Sequence, residues 1–177
     1  MVKARATTSL DAETIAIGTE LLIGGRSDTN SLFIADELGK FGIAVRFKSV
    51  VGDERQDIVT AIHTAVKRSR VIVMTGGLGP TVDDCTREAV ARATGHRLGR
   101  RKEALEGMTA RLAQWGRIPN TAQLRQGMIP SGATVRKNPV GSVPGFCLTG
   151  KKALDIWLHV VPREVAETRT QDTTPCR

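Results

Sequence analysis

Short apolar runs alternate with segments of helical period along the first two thirds of the chain. Thr14-Ile15-Ala16-Ile17-Gly18 reads as a buried strand that ends on glycine. Residues 30–41 place Ile34, Leu38 and Phe41 at helical spacing, with Asp28, Thr29 or Asn30 able to cap the start and Gly42 able to stop the helix. Ile43 to Val51 predicts a second strand, and Asp53 opens a second helix whose Ile58, Val59, Ile62 and Val66 form one apolar stripe. Val71-Ile72-Val73-Met74 is a continuous apolar run, the type found where a strand is covered on both faces. Helical patterns follow at 84–94 and 101–115, the latter with Leu105, Met108 and Leu112 in register. Beyond residue 117, short apolar pieces (Met128-Ile129, Val143 to Leu148, Leu154 to Leu158) are divided by Pro and Gly turns. The order β-α-β-α-β-α-α, then short strands, predicts an α/β fold with a mainly parallel sheet and helices on both faces. A polar leader (1–12) and a polar, frayed tail (166–177) are expected to flank one domain at 13–165.

A chain of 177 residues buries roughly 70% of its unfolded surface, so one domain needs no disulfide or metal staple. With 40% hydrophobic and 25% charged residues, collagen, coiled coil and wholesale disorder are excluded. No apolar stretch reaches the roughly 18 residues of a membrane helix, and MVKARATTSL lacks a signal-peptide core, so a cytoplasmic location without a membrane partner is expected. Cys85, Cys147 and Cys176 form no C-x-x-C pair, and His63, His96 and His159 are scattered. Free thiols are expected, and no zinc site.

The net charge of +8 admits either nucleic acid or an anionic small molecule as partner. Residues 87–117 hold eight basic and three acidic side chains, densest at Arg97, Arg100, Arg101 and Lys102. Nucleic-acid grooves usually add aromatic stacking platforms, and no aromatic lies inside that densest run. A solvated basic helix face therefore ranks ahead of nucleic-acid binding.

Ligands of doubly wound sheets bind beyond the carboxyl ends of the strands, and three glycine-rich segments fall at such ends. The first is Gly18-Thr19-Glu20, leading to Gly24-Gly25 and Asp28-Thr29-Asn30. The second is TGGLGPTVDDCT, Thr75 to Thr86, directly after the most apolar strand. The third is NPVGSVPGF, Asn138 to Phe146. In the second, Gly76, Gly77 and Gly79 let backbone amides approach a ligand, and a helix starting near Asp84 points its free amides back at the loop. That suits phosphate, although no Lys-Ser/Thr follows as in a P-loop. Asp83 and Asp84 would repel a bare phosphate unless Mg²⁺ or a similar hard cation lies between them. Plain helix capping by Asp84, or by Thr81 with Asp84 reaching back, accounts for the same residues. Thr19, Glu20 and Asn30 stay open between caps and pocket groups, with Glu20 a possible addition to the metal site. Asn138, Pro139, Gly141, Pro144 and Gly145 stay open between a tight turn and a ligand-facing loop.

TIAIGTELLIGG…DTN, VVGDERQDI, TGGLGPTVDDCTREAVARATG and IPSGATVRKNPVGSVPGF occur in this order. Together they resemble the amino-terminal domain of the competence-damage-inducible (CinA) family, within the wider MoaB/Mog molybdopterin-binding fold, over about residues 13–165. The resemblance implies a three-layer α/β/α fold with a central, mostly parallel sheet. It implies a pocket for a phosphate-bearing pterin, such as molybdopterin, or for a nucleotide. For CinA-type domains it implies metal-dependent hydrolysis of the ADP-ribose pyrophosphate. Gly76, Gly77, Gly79, Asp83, Asp84 and Thr86 match the central motif, with Asp84 at the position linked to metal chemistry. Gly18, Thr19, Glu20, Asn30, Asn138, Pro139, Gly141, Pro144 and Gly145 match the others. Two departures stand out. A family Leu-Pro-Gly-Val-Pro segment reads Leu158-His159-Val160-Val161-Pro162 here, and the chain stops about a dozen residues after the match, as in a truncated, stand-alone copy. The carboxy-terminal nicotinamide mononucleotide deamidase domain of the longer family members is not expected.

A metal-dependent nucleotide pyrophosphatase therefore ranks first, with Asp83 and Asp84 on the metal and Thr75, Gly76, Gly77, Gly79 and Thr86 around the phosphate. A binding module without turnover comes second, and a nucleic-acid partner third. Homo-oligomers are compatible with all three.

Overall fold

The computed structural model describes residues 10–138 and 141–150, and residues 155–159 as backbone. The sheet strands are β1 (Asp11–Ile17), β2 (Ala44–Val51), β3 (Val71–Thr75), β6 (Thr134–Arg136), β7 (Gly145–Thr149) and β8 (Asp155–His159). A two-stranded antiparallel ribbon is made by β4 (Leu98–Arg100) and β5 (Met128–Pro130). The helices are α1 (Thr19–Leu22), α2 (Thr29–Gly39), α3 (Arg55–Arg68), α4 (Thr86–Thr94), α5 (Lys102–Gln114) and α6 (Thr121–Leu124), the last followed by a 3-10 turn, Arg125–Gly127.

The main sheet has the order β2-β1-β3-β8-β7-β6. The first four strands are parallel, β7 runs against β8, and β6 runs against β7. The expected mostly parallel α/β sheet is thus present. Side chains alternate across a strand, and the two faces pack on different helices. Ile15, Ile17, Ile72 and Met74 join Ile58 and Ile62 of α3, Val90 of α4, and Phe146 and Leu148 of β7 in the larger core. Ala12, Val71 and Val73 face Ile34 and Leu38 of α2 on the other side. All five β3 residues are buried, which is why the run reads as uninterruptedly apolar. Each fully buried Ile contributes about 1.5–3 kcal/mol relative to exposure. The outer strand β2 alternates half-buried and exposed positions, and Arg46 and Lys48 occupy exposed ones, which discourages pairing along that edge.

A carboxylate lies inside the sheet at β1. Glu13 is fully buried, and its carboxylate accepts from Arg68 Nε at 2.9 Å, Arg68 Nη2 at 2.8 Å and Ser49 Oγ at 2.8 Å. The Arg68 guanidinium lies 3.9 Å from the centroid of the Phe47 ring. The bidentate fork and the hydroxyl together satisfy the buried charge.

Several details differ from the pattern-based expectation. β1 starts at Asp11, three residues before its apolar run, because β1 pairs with β2 from Asp11 onward. Ala65 rather than Val66 completes the buried face of α3, and Ala104 rather than Leu105 that of α5. The three-residue strands β4 and β6 are too short to carry a period. Cys85 is a buried free thiol, whereas Cys147 is engaged in a disulfide, against the expectation of free thiols. Among the described residues no helix is long and apolar enough to cross a membrane. The leader up to residue 9 and the tail lie outside the described residues.

Candidate functional site

The chain leaves β1 toward β2 on one side and reaches β3 on the other, so the strand order reverses between β1 and β3. The carboxyl ends of these two strands frame the crevice where open α/β sheets bind ligands. Gly18 to Glu20 follows β1, and Thr75 to Thr86 follows β3, so the first two glycine segments meet there. The loops approach closely: Gly76 has φ +94°, and a Cβ at this position would overlap the Ile17 carbonyl oxygen. Only glycine fits both the backbone conformation and the contact.

The β3–α4 loop is braced from beneath by the first turn of α4. Thr86 Oγ1 donates to the Gly76 carbonyl at 3.0 Å, and Thr86 N donates to the Gly77 carbonyl at 3.2 Å. Arg87 Nη1 donates to the Leu78 carbonyl at 2.7 Å, and Nη2 to the Gly79 carbonyl at 2.9 Å. In a trans peptide the C=O and the following N–H point in opposite directions. Turning the Gly76, Gly77 and Leu78 carbonyls toward α4 therefore turns the Gly77, Leu78 and Gly79 amides away from it. No protein acceptor among the described residues takes a hydrogen bond from these three amides. Consecutive free amides on one side of a loop form an anion-binding concavity.

Asp84 borders this loop. The Asp84 carboxylate lies over Gly79, where a Cβ would collide with it, and its Oδ2 accepts from Thr81 N at 2.9 Å and from the Thr81 hydroxyl. Asp83 is exposed. Asp84 does not cap α4: the helix begins at Thr86, with Cys85 in the capping position and no side-chain cap. Asp84 instead reaches back to Thr81 across a turn. Among the described residues no cluster of three or more His, Cys, Asp or Glu side chains gathers around a metal position. Asp83 and Asp84 are the carboxylates of this loop that could hold a divalent cation.

The β1 end is tied down from the neighbouring loop. Asp53 Oδ2 accepts from Thr19 N at 2.9 Å and from Thr19 Oγ1 at 2.8 Å, capping α1 from outside the helix. Cys85 Sγ donates to the Asp53 carbonyl at 3.1 Å, and burial pushes its thiol pKa above the ordinary value, with Arg55 opposing. The Glu20 carboxylate folds back against Gly18. Asn30 sits in the first turn of α2, where Asp28 is the cap, accepting from Ser31 N at 2.9 Å.

The third glycine segment lies on the same edge of the sheet but not in the crevice. β6 ends and β7 begins at the edge where β3 ends, about three strand spacings or roughly 14 Å from β3 to β6. Asn138 closes its own loop, donating to the Val143 carbonyl at 2.9 Å and accepting from Gly141 N at 2.7 Å. Pro144 and Gly145 are buried at the start of β7. Pro139 lies outside the described residues. This loop and α5 enclose a cavity of about 480 Å³ whose walls include Arg111, Lys137, Asn138 and Gly141. β8 ends at His159, paired with Thr75 just before the glycine loop; Val160 is outside the described residues.

Arg87 and Asp53 were not singled out as site residues by the sequence reading. Arg87 counted as one of many charges on a basic helix face, yet it is 2% exposed. Asp53 read as a helix opener. Its position beside the glycine ending β2 was the available signal.

A family model described as a probable molybdopterin binding domain matches residues 13–166. The chain belongs to that family. Its CinA-like character rests on closer relatives. A CinA-like protein of Synechococcus elongatus is 36% identical over 93% of this chain and 39% of its own length. One of Solibacter usitatus is 40% identical over 88% of this chain and 38% of its own. The chain thus spans about two fifths of the length of these curated relatives. The solved structure of a CinA protein of unknown function from Thermoplasma acidophilum matches with a TM-score of 0.84 and 31% identity, covering 93% of this chain and 96% of that one. The molybdopterin biosynthesis enzyme MoaB of Thermus thermophilus shares the fold, with a TM-score of 0.61 and 20% identity over 90% of this chain and 87% of that one. The chain is accordingly an amino-terminal CinA-type domain of the MoaB/Mog kind.

Proposed function

We propose that this domain binds a pyrophosphate-bearing nucleotide or a molybdopterin-type ligand in the β1/β3 crevice and hydrolyses the pyrophosphate with a divalent cation. The reading is carried by the three free amides of Gly77, Leu78 and Gly79, turned away from α4 at the crevice. They hold phosphate oxygens without any basic side chain in the loop. Asp83 and Asp84 would hold the cation, which screens them from the phosphate and polarises the P–O bonds. The chain's own groups orient the phosphorus for in-line attack by water. The water oxygen bonds to phosphorus, one P–O bond of the bridge breaks, the leaving phosphate takes the bridging oxygen, and the proton of the water passes to solvent. The Thr19 and Thr86 hydroxyls do not serve as donors to the ligand, because each braces the protein.

The engagement of Asp84 by Thr81 favours a second reading, a binding module without turnover, since a cation must share that carboxylate with the turn. ADP-ribose decides between them. Hydrolysis that requires added Mg²⁺ or Mn²⁺ supports the enzyme. Saturable binding without metal-dependent turnover removes the enzyme reading and leaves the binding module. Absence of binding to ADP-ribose, pyrophosphate and pterin phosphates alike would overturn both.

A further inference from the structure

A buried cation lies directly behind the phosphate cradle. Arg87 is 2% exposed, and its guanidinium donates to two neutral carbonyls, those of Leu78 and Gly79. It forms no ion pair among the described residues, although buried charges are ordinarily paired. Burial lowers the guanidinium pKa from its ordinary value; the nearby carboxylates, Glu88 and Asp84, oppose this, and Arg125 adds to it. Glu88 is already turned to Arg125, 3.4 Å away. The charge therefore faces the loop without a dedicated counter-ion.

The division of labour between the two α4 side chains is specific. Thr86 holds the Gly76 and Gly77 carbonyls, which orients the Gly77 and Leu78 amides. Arg87 holds the Leu78 carbonyl, which orients the third amide, that of Gly79. Gly79 is also the residue over which Asp84 lies.

We propose that Arg87 is a positioning residue of the phosphate site: it fixes the Gly79 amide toward the ligand, and the phosphate supplies the counter-charge that Arg87 lacks. This rests on the phosphate-binding reading given above. The ligand class is consequently a dianionic phosphate or pyrophosphate group, and a neutral analogue loses the interaction with Arg87 altogether. Arg87 does not touch the ligand; it acts through the Leu78–Gly79 peptide.

Amide NMR titrations with Mg²⁺-pyrophosphate and with ADP-ribose test the inference on wild-type protein, Arg87→Met and Arg87→Lys, alongside urea unfolding of each. In wild-type protein the Gly77, Leu78 and Gly79 amide signals should shift on binding. Arg87→Met should weaken binding at least tenfold and abolish the Gly79 shift; unfolding without ligand also registers the two carbonyls left without a donor, whereas loss of the Gly79 shift in the folded protein reports on the amide alone. Arg87→Lys retains the charge and one donor group, and should recover affinity to within about threefold of wild type. Wild-type titrations in which none of the three amides moves would overturn both this inference and the phosphate reading. Wild-type binding at these amides with an Arg87→Met affinity within twofold would overturn the role of Arg87 alone. If Arg87→Met does not fold, the Arg87→Lys protein decides: a tenfold loss with the Gly79 shift preserved would also overturn it.

Discussion

Replacing Gly76 by alanine tests whether the crevice is built on close contact between two strand ends. The comparison is Gly95→Ala. Gly95 terminates α4 at φ +70°, and a Cβ there meets nothing within 4 Å. Alanine at Gly95 therefore incurs only the left-handed backbone penalty, about 1–2 kcal/mol. Gly76 carries the same kind of penalty at φ +94°, and its Cβ would in addition overlap the Ile17 carbonyl oxygen. That obstacle is main chain at the end of a buried strand, and it cannot rotate away as a side chain can. Forcing atoms into packed structure costs about 1–3 kcal/mol, which brings Gly76→Ala to about 2–5 kcal/mol. Domains of this size are stable by about 5–15 kcal/mol, so both variants remain measurable by equilibrium urea unfolding. Gly76→Ala should be the less stable by about 2 kcal/mol and should also bind phosphate poorly. Equal stabilities, within about 0.5 kcal/mol, would refute the close approach of the β3 loop to β1.

Asp84→Asn keeps an acceptor for the Thr81 amide but loses the charge, so stability should fall by only about 1 kcal/mol; ADP-ribose hydrolysis should fall 100-fold or more, about 2.7 kcal/mol in the barrier. Stopped-time product assays beside urea unfolding separate the two effects, and a rate loss under tenfold would remove Asp84 from the chemistry. The Cys85 thiol has a raised folded-state pKa, so the folded protein keeps a proton that the unfolded chain releases above about pH 9. Its contribution to stability is complete below that pH and declines as the pH rises toward the folded value; Cys85→Ala should flatten the decline in unfolding measurements from pH 8 to 10, and an unchanged slope would count against it. Thr19 and Asp53 should couple by at least about 0.5 kcal/mol in a double-mutant cycle of Thr19→Val and Asp53→Asn, whereas additive losses would mean their hydrogen bonds contribute nothing as a pair.

The centre of the parallel half was legible because β1 and β3 are buried on both faces. Val71 to Met74 and Ile15 to Ile17 declare themselves without any partner being known. The three-residue strands β4 and β6 were not, since their pairing is set by the chain around them. At the site, the positions of the first two glycine segments followed from strand order alone. The uses of individual polar groups did not. Asn138 bonds within its own loop, Thr86 holds carbonyls, and Asp84 reaches back to Thr81, as one of the two capping alternatives had it, but across a turn that precedes the helix. Arg87 was hidden because a formal charge in a basic run carries no sign of burial. The observed convergence of Gly18 and Gly77, with Gly141 farther along the same edge, comes from strands that end on one side.

The strand order also separates contacts that are local in the chain from contacts that are not. β2, β1 and β3 lie next to one another in the sheet and arise from the first 75 residues, so the crevice half can form early from a contiguous piece of chain. β8, by contrast, sits beside β3 in the interior of the sheet but is drawn from residues 155–159. Until that segment arrives, the most apolar strand of the protein presents an open hydrogen-bonding edge. Such an edge is a template for pairing with other chains. Any state in which β1, β2 and β3 are paired before residues 155–159 arrive therefore leaves one side of β3 open to other chains, and occupation of the β1/β3 crevice would not cover that side.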